Sequence, residues 1–397
     1  MELTAQQIRR HRLAAHHLAQ KLPPLAFCAA AGACGLQNTP PGAWETALFN
    51  RVEGCTLQDV RDALYTRKTL LQAWSYRGAP VVFPTGESSV FLTPLLAQPG
   101  ERPWIYTLGI TGALEHLQMS FDELLPRVQK AARYLDGHTV QSKEALDSTL
   151  AALVEQELPA EKRALWRAPS IYGSPDRQTM GGAAVSFLLR PCSFASLVVF
   201  GERQGASPTF TSYRNWVGRT PTPAADADRA LARKFLHCYG PATVDALAAW
   251  LGCSPKQARR LWAAVAEEVT PVQALGKPCF ALTADLESLC AAGEAEEKLL
   301  LLGAHDPYLD LRDRAAILPD PARQKAVWKL VGNPGAVLQG GRVAGIWKSN
   351  AFKEALDLSV TLWEPLAPAA RRALEQRAQE YAAFRLLRLR KLTVETE

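Results

Sequence analysis

The segment LARKFLHCYGPATVDALAAWLGCSPKQARRLWAAVAEEV, residues 231–269, narrows the choice of fold more than any other stretch. One helix is predicted to stop at Gly252, and Ser254 is placed to cap the next, with Pro255 at its first position and Gln257 at its third. Two helices joined by so short a turn make a helix-turn-helix, and the second carries Lys256, Arg259 and Arg260. VTPVQALGKPCFALTA (269–284) then reads as strand, turn, strand. Helices followed by such a hairpin form a winged helix.

The same order recurs upstream. Thr4 and Gln7 form a capping box, and Ile8, Ala15, Leu18 and Leu22 recur at near-helical spacing, which predicts a first helix ending before Pro23-Pro24. A second, short helix should reach about Gly32. In the corner GACGLQNTPPGAW (32–44), Thr39 precedes proline and is steered away from the α conformation. Pro40 or Pro41 suits the first turn of a helix carrying Trp44, Leu48 and Phe49, and Thr56 to Asp59 starts another through Leu64. TLLQAWSYRGAPVVFPT (69–85) has the apolar runs of a β-hairpin around Arg77-Gly78. Ser120 with Glu123 is another capping box opening helices over 120–165, and SLVVFGERQGASPTFTSYRNW (196–216) reads as two strands about a glycine turn.

Near the end, VLQGGRVAGIWK (337–348) is a hairpin by its Gly-Gly pair, and a helix rich in Arg, Glu and Ala is expected to close the chain. At 397 residues the sequence is too long for one compact core. The expected fold is therefore α+β and mainly helical: three tandem winged-helix units with a C-terminal β-containing cap. The boundaries fall at 1–95, 96–220, 221–298 and 299–397.

Charge and cysteine content exclude some functions and permit others. The net charge of +6, from 45 Lys and Arg against 39 Asp and Glu, is mild, and serves a nucleic-acid binder only if the cations gather on one surface. Eight cysteines at 28, 34, 55, 192, 238, 253, 279 and 290 show no C-x-x-C and no neighbouring His pair, so they are expected to be buried thiols in a reducing compartment. The N-terminus lacks the apolar run of a signal peptide and no stretch approaches a bilayer-spanning length, so the expected location is cytoplasmic, with no membrane contact. G-x-S-x-G, Walker, H-E-x-x-H and strand-borne G-x-G-x-x-G motifs are absent, and a hydrolase built on a Ser or Cys nucleophile gains no support.

Three segments in order carry a family resemblance: GLQNTPPGAWETALFNRVEGCTLQDVRDALYTRKTLLQAWSYRG (35–78), GPATVDALAAWLG (240–252), and LLLGAHDPYLDLRDRAAIL with GGRVAGIWK (300–318 and 340–348). Together they resemble the tandem winged-helix DNA glycosylases of the AlkZ/YcaQ type. The resemblance implies winged helices around a concave basic cleft for duplex DNA. It also implies excision of alkylated or crosslinked bases without metal or organic cofactor. The family's signature is a glutamine, any residue, then a glutamine or aspartate. Here Gln37, Asn38 and Thr39 stand at those positions, so the first matches and the last departs. The first hairpin departs too, with Arg77-Gly78-Ala79-Pro80 where the family has Arg-Gly-Thr-x-His.

A glutamine is chemically adequate for part of this work. An N7- or N3-alkylated purine is already cationic and leaves neutral, so little acid catalysis is needed, and an amide can orient water and sugar by hydrogen bonds. Thr39 offers a hydroxyl, a poor base at neutral pH. Gln37 and Thr39 are thus the candidate catalytic residues, and Arg77, Arg312, Arg314, Arg342 and Lys348 the candidate DNA contacts.

The residues alone leave alternatives open. Thr39 is also an attractive helix N-cap, Gln37 a possible loop brace, and Arg77 a partner for a carboxylate. Asp306 would pair with Arg312 or Arg314 to hold the cap, and the basic face of 256–260 is either solvated or scaffold. The expected function is a DNA repair glycosylase acting as a monomer on double-stranded DNA with alkylated (cationic) purines, extending to the unhooking of interstrand crosslinks. The alternative is a non-catalytic winged-helix DNA-binding protein, a lesion sensor or transcriptional regulator.

Overall fold

The computed structural model describes residues 1–103, 105–172, 178–291, 293 and 297–397. Its strands, in chain order, begin with β1 (Glu2–Leu3), β2 (Leu36–Gln37), β3 (Leu70–Trp74) and β4 (Pro80–Pro84). β5 (Val140–Gln141), β6 (Val199–Phe200) and β7 (Thr209–Thr211) follow, then β8 (Val269–Ala274) and β9 (Lys277–Leu282). The last are β10 (Leu299–Leu302), β11 (Gly335–Gln339), β12 (Arg342–Ala351), β13 (Ala355–Leu362) and β14 (Arg388–Thr396). They form three three-stranded sheets, β2-β4-β3, β5-β7-β6 and β1-β8-β9, and one five-stranded sheet, β10-β11-β12-β13-β14. Helices fill the rest, so the fold is mixed helix and sheet. Among the described residues no helix is long and apolar enough to cross a membrane.

Local sequence rules account for most of the helix starts. Thr4 and Gln7 close a reciprocal capping box on the helix Ala5–Ala15, as do Ser120 and Glu123 on Phe121–Ala132. Thr56 caps Leu57–Tyr65, and Ser254 caps Pro255–Ala263 with proline at the first turn. The two helices have the expected form, Val244–Leu251 ending on left-handed Gly252 before Pro255–Ala263, and β8 and β9 pair antiparallel from Val269↔Leu282 to Ala274↔Lys277.

Four expectations fail, each for a physical reason. The first helix stops at Ala15 rather than running to the prolines, because His17 turns into the left-handed region while the amides of Leu18 and Ala19 bond back to the Leu13 carbonyl. Thr39 is not the N-cap of the next helix. That helix is Ala43–Arg51, its cap is Gly42 at φ 93°, and the Asn38 Oδ1 accepts the Gly42 N–H at 2.6 Å, so Thr39, Pro40 and Pro41 lie outside it. Asp306 pairs with neither Arg312 nor Arg314. Its carboxylate takes both Nη groups of Arg51 at 2.8 Å, with both side chains almost wholly buried, because Arg51 projects from Ala43–Arg51 into the 303–308 turn. Finally, the helix Pro368–Phe384 does not close the chain. It serves as the crossover between β13 and a parallel final strand, β14, whose Leu389, Leu392 and Val394 pack on the core beneath a charged outer row.

The basic helix Pro255–Ala263 is held against the chain as scaffold. Arg260 pairs with Glu101 at 2.7 Å and with Asp228, Lys256 Nζ donates to the Gly100 carbonyl at 3.0 Å, and the buried Gln257 donates to Pro94 O at 3.0 Å. The turn before it packs just as closely on the first hairpin. A Cβ added to Gly252, at φ 70°, would lie 3.0 Å from Arg77 Cα. Gly252→Ala is therefore expected to lower the free energy of unfolding by about 1–3 kcal/mol, the cost of a side chain in left-handed backbone plus the displacement of its neighbour. Denaturant titration of the two proteins measures it, and equal midpoints with equal slopes would refute the close approach.

Candidate active site

β2 is a two-residue edge strand, and its register fixes Gln37. Leu36 lies opposite Val82 and Gln37 opposite Val81 of β4, while the Asn38 N–H donates to Pro80 O at 2.8 Å. Asn38 is buried and clamps the corner: its Nδ2 donates to Gln72 Oε1 at 3.1 Å while its Oδ1 holds Gly42. Gln37 itself is half-buried, and Thr39 is exposed.

The turn between β3 and β4 places Arg77 at φ 54°, left-handed backbone that a non-glycine residue adopts only where its surroundings demand it. From there one guanidinium serves three acceptors. Nη2 donates to Gln37 Oε1 at 3.0 Å and to Asp310 Oδ2 at 2.5 Å, and Nη1 donates to the Trp250 carbonyl at 2.6 Å. Because arginine only donates, it identifies the Gln37 oxygen and leaves the amide NH2 directed away from it. Arg77 is thus bonded within the protein, with a carboxylate as its ionic partner.

Arg77 and Asp310 form part of the wall of a cleft of about 860 Å³ between the β8-β9 hairpin and the 310–315 turn. Arg312 and Arg314 line it, as does Lys277 at the hairpin tip; the acidic groups on its wall are Asp310 and Asp313. Cations therefore outnumber carboxylates there. Arg314 lies over the Trp328 ring, 4.6 Å from its centroid, and both Arg312 and Arg314 are exposed. Arg342 is exposed at the start of β12, beside the same turn, since the Val343 N–H donates to Ile317 O at 3.0 Å. Lys348 lies six residues further along β12, roughly 20 Å at about 3.3 Å per residue, and is not brought to the cleft.

Sequence reasoning passed over several groups. Lys277 follows Leu275 and Gly276, both at positive φ, the signature of a tight hairpin turn that could have singled it out. Asp310 lies in the stretch DPYLDLRDR without any local sign that it would meet Arg77. His305, which with Asp306 and Tyr308 belongs to a stretch that carries the family resemblance and so was not passed over, is pulled below the usual histidine range by burial, with Asp310 opposing and Arg77 assisting. Two further clusters join residues far apart in sequence: His16 with Cys34 and Cys238, and His11 with His237 and Asp285.

Taken together, the fold and cleft belong to an enzyme class that the family comparison defines. The family model described as DNA glycosylase AlkZ-like matches residues 30–384, and the chain belongs to that family of hydrolases acting on N-glycosyl bonds. An interstrand DNA cross-link repair glycosylase of Streptomyces sahachiroi is 26% identical over 296 residues, 70% of each protein. The solved structure of Streptomyces sahachiroi DNA glycosylase AlkZ covers the whole of both chains with a TM-score of 0.77 at 20% identity, and so has the same fold.

Arg77→Lys tests the geometry independently of activity. A lysine keeps the charge but presents a point donor in place of a planar fork, so at least one of the Trp250, Gln37 and Asp310 acceptors loses its partner. The expected cost is about 1–3 kcal/mol of stability, read as a lowered unfolding midpoint. A midpoint unchanged from the parent would mean that the guanidinium hydrogen bonds carry no weight.

Proposed function

We propose that this protein hydrolyses the N-glycosidic bond of alkylated, cationic purines in double-stranded DNA, and that Gln37 is the residue that orients the reaction. The observation carrying this is the Gln37–Arg77–Asp310 constellation, of which Arg77 and Asp310 line the cleft and Arg77 holds Gln37 behind them. Arg77 fixes the amide with one oxygen lone pair occupied, leaving a second lone pair and two N–H donors to hold a water and the sugar or departing base. Asp310 shares the same donor nitrogen and is the carboxylate nearest to this arrangement, favouring positive charge on the sugar as the base departs. Thr39, exposed beside Gln37, adds at most a hydrogen-bonding hydroxyl, which restricts the chemistry to good leaving groups. The S. sahachiroi relative is named for interstrand cross-link repair, and the proposal extends to unhooking crosslinks through alkylated purines, whose charged bases leave in the same way.

The rest of the reading concerns how DNA is held. We interpret the helices with the β3-β4, β6-β7 and β8-β9 hairpins as three tandem winged-helix units at 1–95, 96–220 and 221–298, capped by 299–397. In this reading they bind the duplex as a monomer in the cytoplasm. Arg312, Arg314 and Arg342 contact phosphates beside the cleft, with Lys277 joining them from the wing. Arg77 acts from within, and Lys348 meets only flanking DNA.

Two measurements test this. Duplex DNA containing N7-methylguanine, incubated with the protein and heated in alkali, is expected to show strand breaks. Gln37→Ala should reduce the rate by about 10²-fold or more, the range for lost positioning and electrostatic groups, and Thr39→Gln should raise it. Equal rates for Gln37→Ala and the parent would remove Gln37 from the mechanism.

Arg312→Ala combined with Arg314→Ala is expected to flatten the slope of log affinity against log salt by about 0.9 for each phosphate no longer neutralised, and to weaken binding alike on all sequences. An unchanged slope would place the DNA elsewhere.

A further inference from the structure

Three side chains that no motif spacing connects converge beneath the Gln37 strand. His16 Nδ1, Cys34 Sγ and Cys238 Sγ all lie within 4.8 Å of one another, and all three residues are buried. His16 follows the first helix, Cys34 stands two residues before β2, and Cys238 lies in the helix Ala227–Tyr239. The histidine is oriented by its other nitrogen. Nε2 sits 3.0 Å from the Cys238 carbonyl oxygen, which only accepts, so Nε2 carries a proton, and Nδ1 faces Cys34 Sγ 3.8 Å away. A backbone carbonyl fixing the far ring nitrogen is the arrangement that commonly orients metal-ligating histidines.

The His16–Cys34 separation agrees with a tetrahedral ion, and the third ligand atom lies within 4.8 Å of both. Bonds of about 2.3 Å to sulfur and 2.0–2.1 Å to nitrogen separate the two ligand atoms by roughly 3.6 Å, close to the observed 3.8 Å. Without an ion the sulfurs have only the weak hydrogen bonds of thiols, to each other, to His16 Nδ1 and to nearby backbone. Cys238 Sγ lies 3.5 and 3.8 Å from the Ala33 and Ala15 carbonyls, and Cys34 Sγ 3.8 Å from Gly35 O and 3.7 Å from the Tyr239 hydroxyl, all long contacts of weak donors. The second cluster differs in this respect. His237 Nδ1 meets both oxygens of Asp285 at 3.0 Å, and His11 is bracketed by Ser288 Oγ and the His237 carbonyl, each at 3.0 Å, so hydrogen bonds alone account for it.

We propose that His16, Cys34 and Cys238 bind a zinc ion, with the Tyr239 hydroxyl bordering its fourth position. Two thiolates and Zn²⁺ sum to zero charge, which removes the penalty that two buried thiolates alone would carry. One imidazole and two thiolates are soft donors that suit zinc over magnesium or calcium. The ion takes no part in bond cleavage. Its effect is positional: the Cys34 carbonyl accepts the Tyr76 hydroxyl at 2.9 Å, next to Arg77, so the ion pins both β2 and the Arg77 turn to the first helix and to Ala227–Tyr239.

Elemental analysis of the full-length protein purified from zinc-supplemented medium and dialysed against chelator should find zinc at about one ion per chain. Cobalt(II) added to the metal-stripped protein should give thiolate-to-cobalt charge-transfer absorption, and zinc should raise the unfolding midpoint. Cys34→Ser and Cys238→Ser are expected to abolish the absorption, and His237→Ala to keep it. Should the cysteine variants fail to fold, the parent's cobalt spectrum decides, because only sulfur ligation produces that band. Absence of both retained zinc and the charge-transfer band in the parent would overturn the proposal, and so would an ion kept by Cys34→Ser but lost by His237→Ala.

Discussion

The guanidinium of Arg77 is the point on which the site depends. It leaves the first hairpin through a left-handed turn and meets three acceptors from three distant segments: Gln37 of β2, the Trp250 carbonyl at the end of a helix-turn-helix helix, and Asp310 of the C-terminal region. A planar fork with five fixed donors can satisfy such divergent acceptors at once, and a lysine cannot. Gly252 makes the geometry possible, since only a residue without Cβ lets the helix-turn-helix approach Arg77 so closely. The orientation of the Gln37 amide is thus set jointly by parts of the chain more than two hundred residues apart.

Two other arginines repeat this design deeper in the protein. Arg51 and Asp306 form a bidentate pair that is almost fully buried, with Ala47 O and the Tyr308 N–H satisfying further valences. Arg12 reaches Asp313 with two nitrogens and also donates to the carbonyls of Gly240 and Tyr239. Burying such charges is costly unless every donor and acceptor is matched, so these pairs discriminate between right and wrong docking more than they add net stability. Both run from the first fifty-one residues to the 306–313 stretch, which also supplies Asp310 and Arg312, with Arg314 next to it.

What could be read in the sequence was local. The capping residues Thr4, Thr56, Ser120 and Ser254, the Gly252 stop and the Gly340-Gly341 turn act through neighbours three or four positions away, and each stands where the sequence predicts. Apart from the early stop of the first helix at Ala15, the misses are non-local. Thr39 looks like a cap until Asn38, bridging to Gln72, is seen to hold Gly42 instead. Asp306 has arginines six and eight residues away, yet its partner is 255 positions upstream. β14 is rich in Arg, Lys and Glu and hides its apolar side among them, and its pairing with β13 needs the intervening helix to return the chain parallel. Of the candidate site, Gln37, Arg312 and Arg314 were singled out through the family motif and charge, whereas Arg77, expected to contact DNA, is bonded inside the protein. Asp310 was not singled out, because nothing near it in sequence announces Arg77.

The helix that would ordinarily probe a major groove is otherwise engaged. Arg260 and Lys256 are fastened to Glu101, Asp228 and the Gly100 carbonyl, so this basic helix serves as a strut at the surface. With Arg260 and Lys256 engaged in this way, the charge of the helix and its attachment to the 94–101 segment and to Asp228 cannot be varied separately: a substitution that removes either cation also loosens the packing.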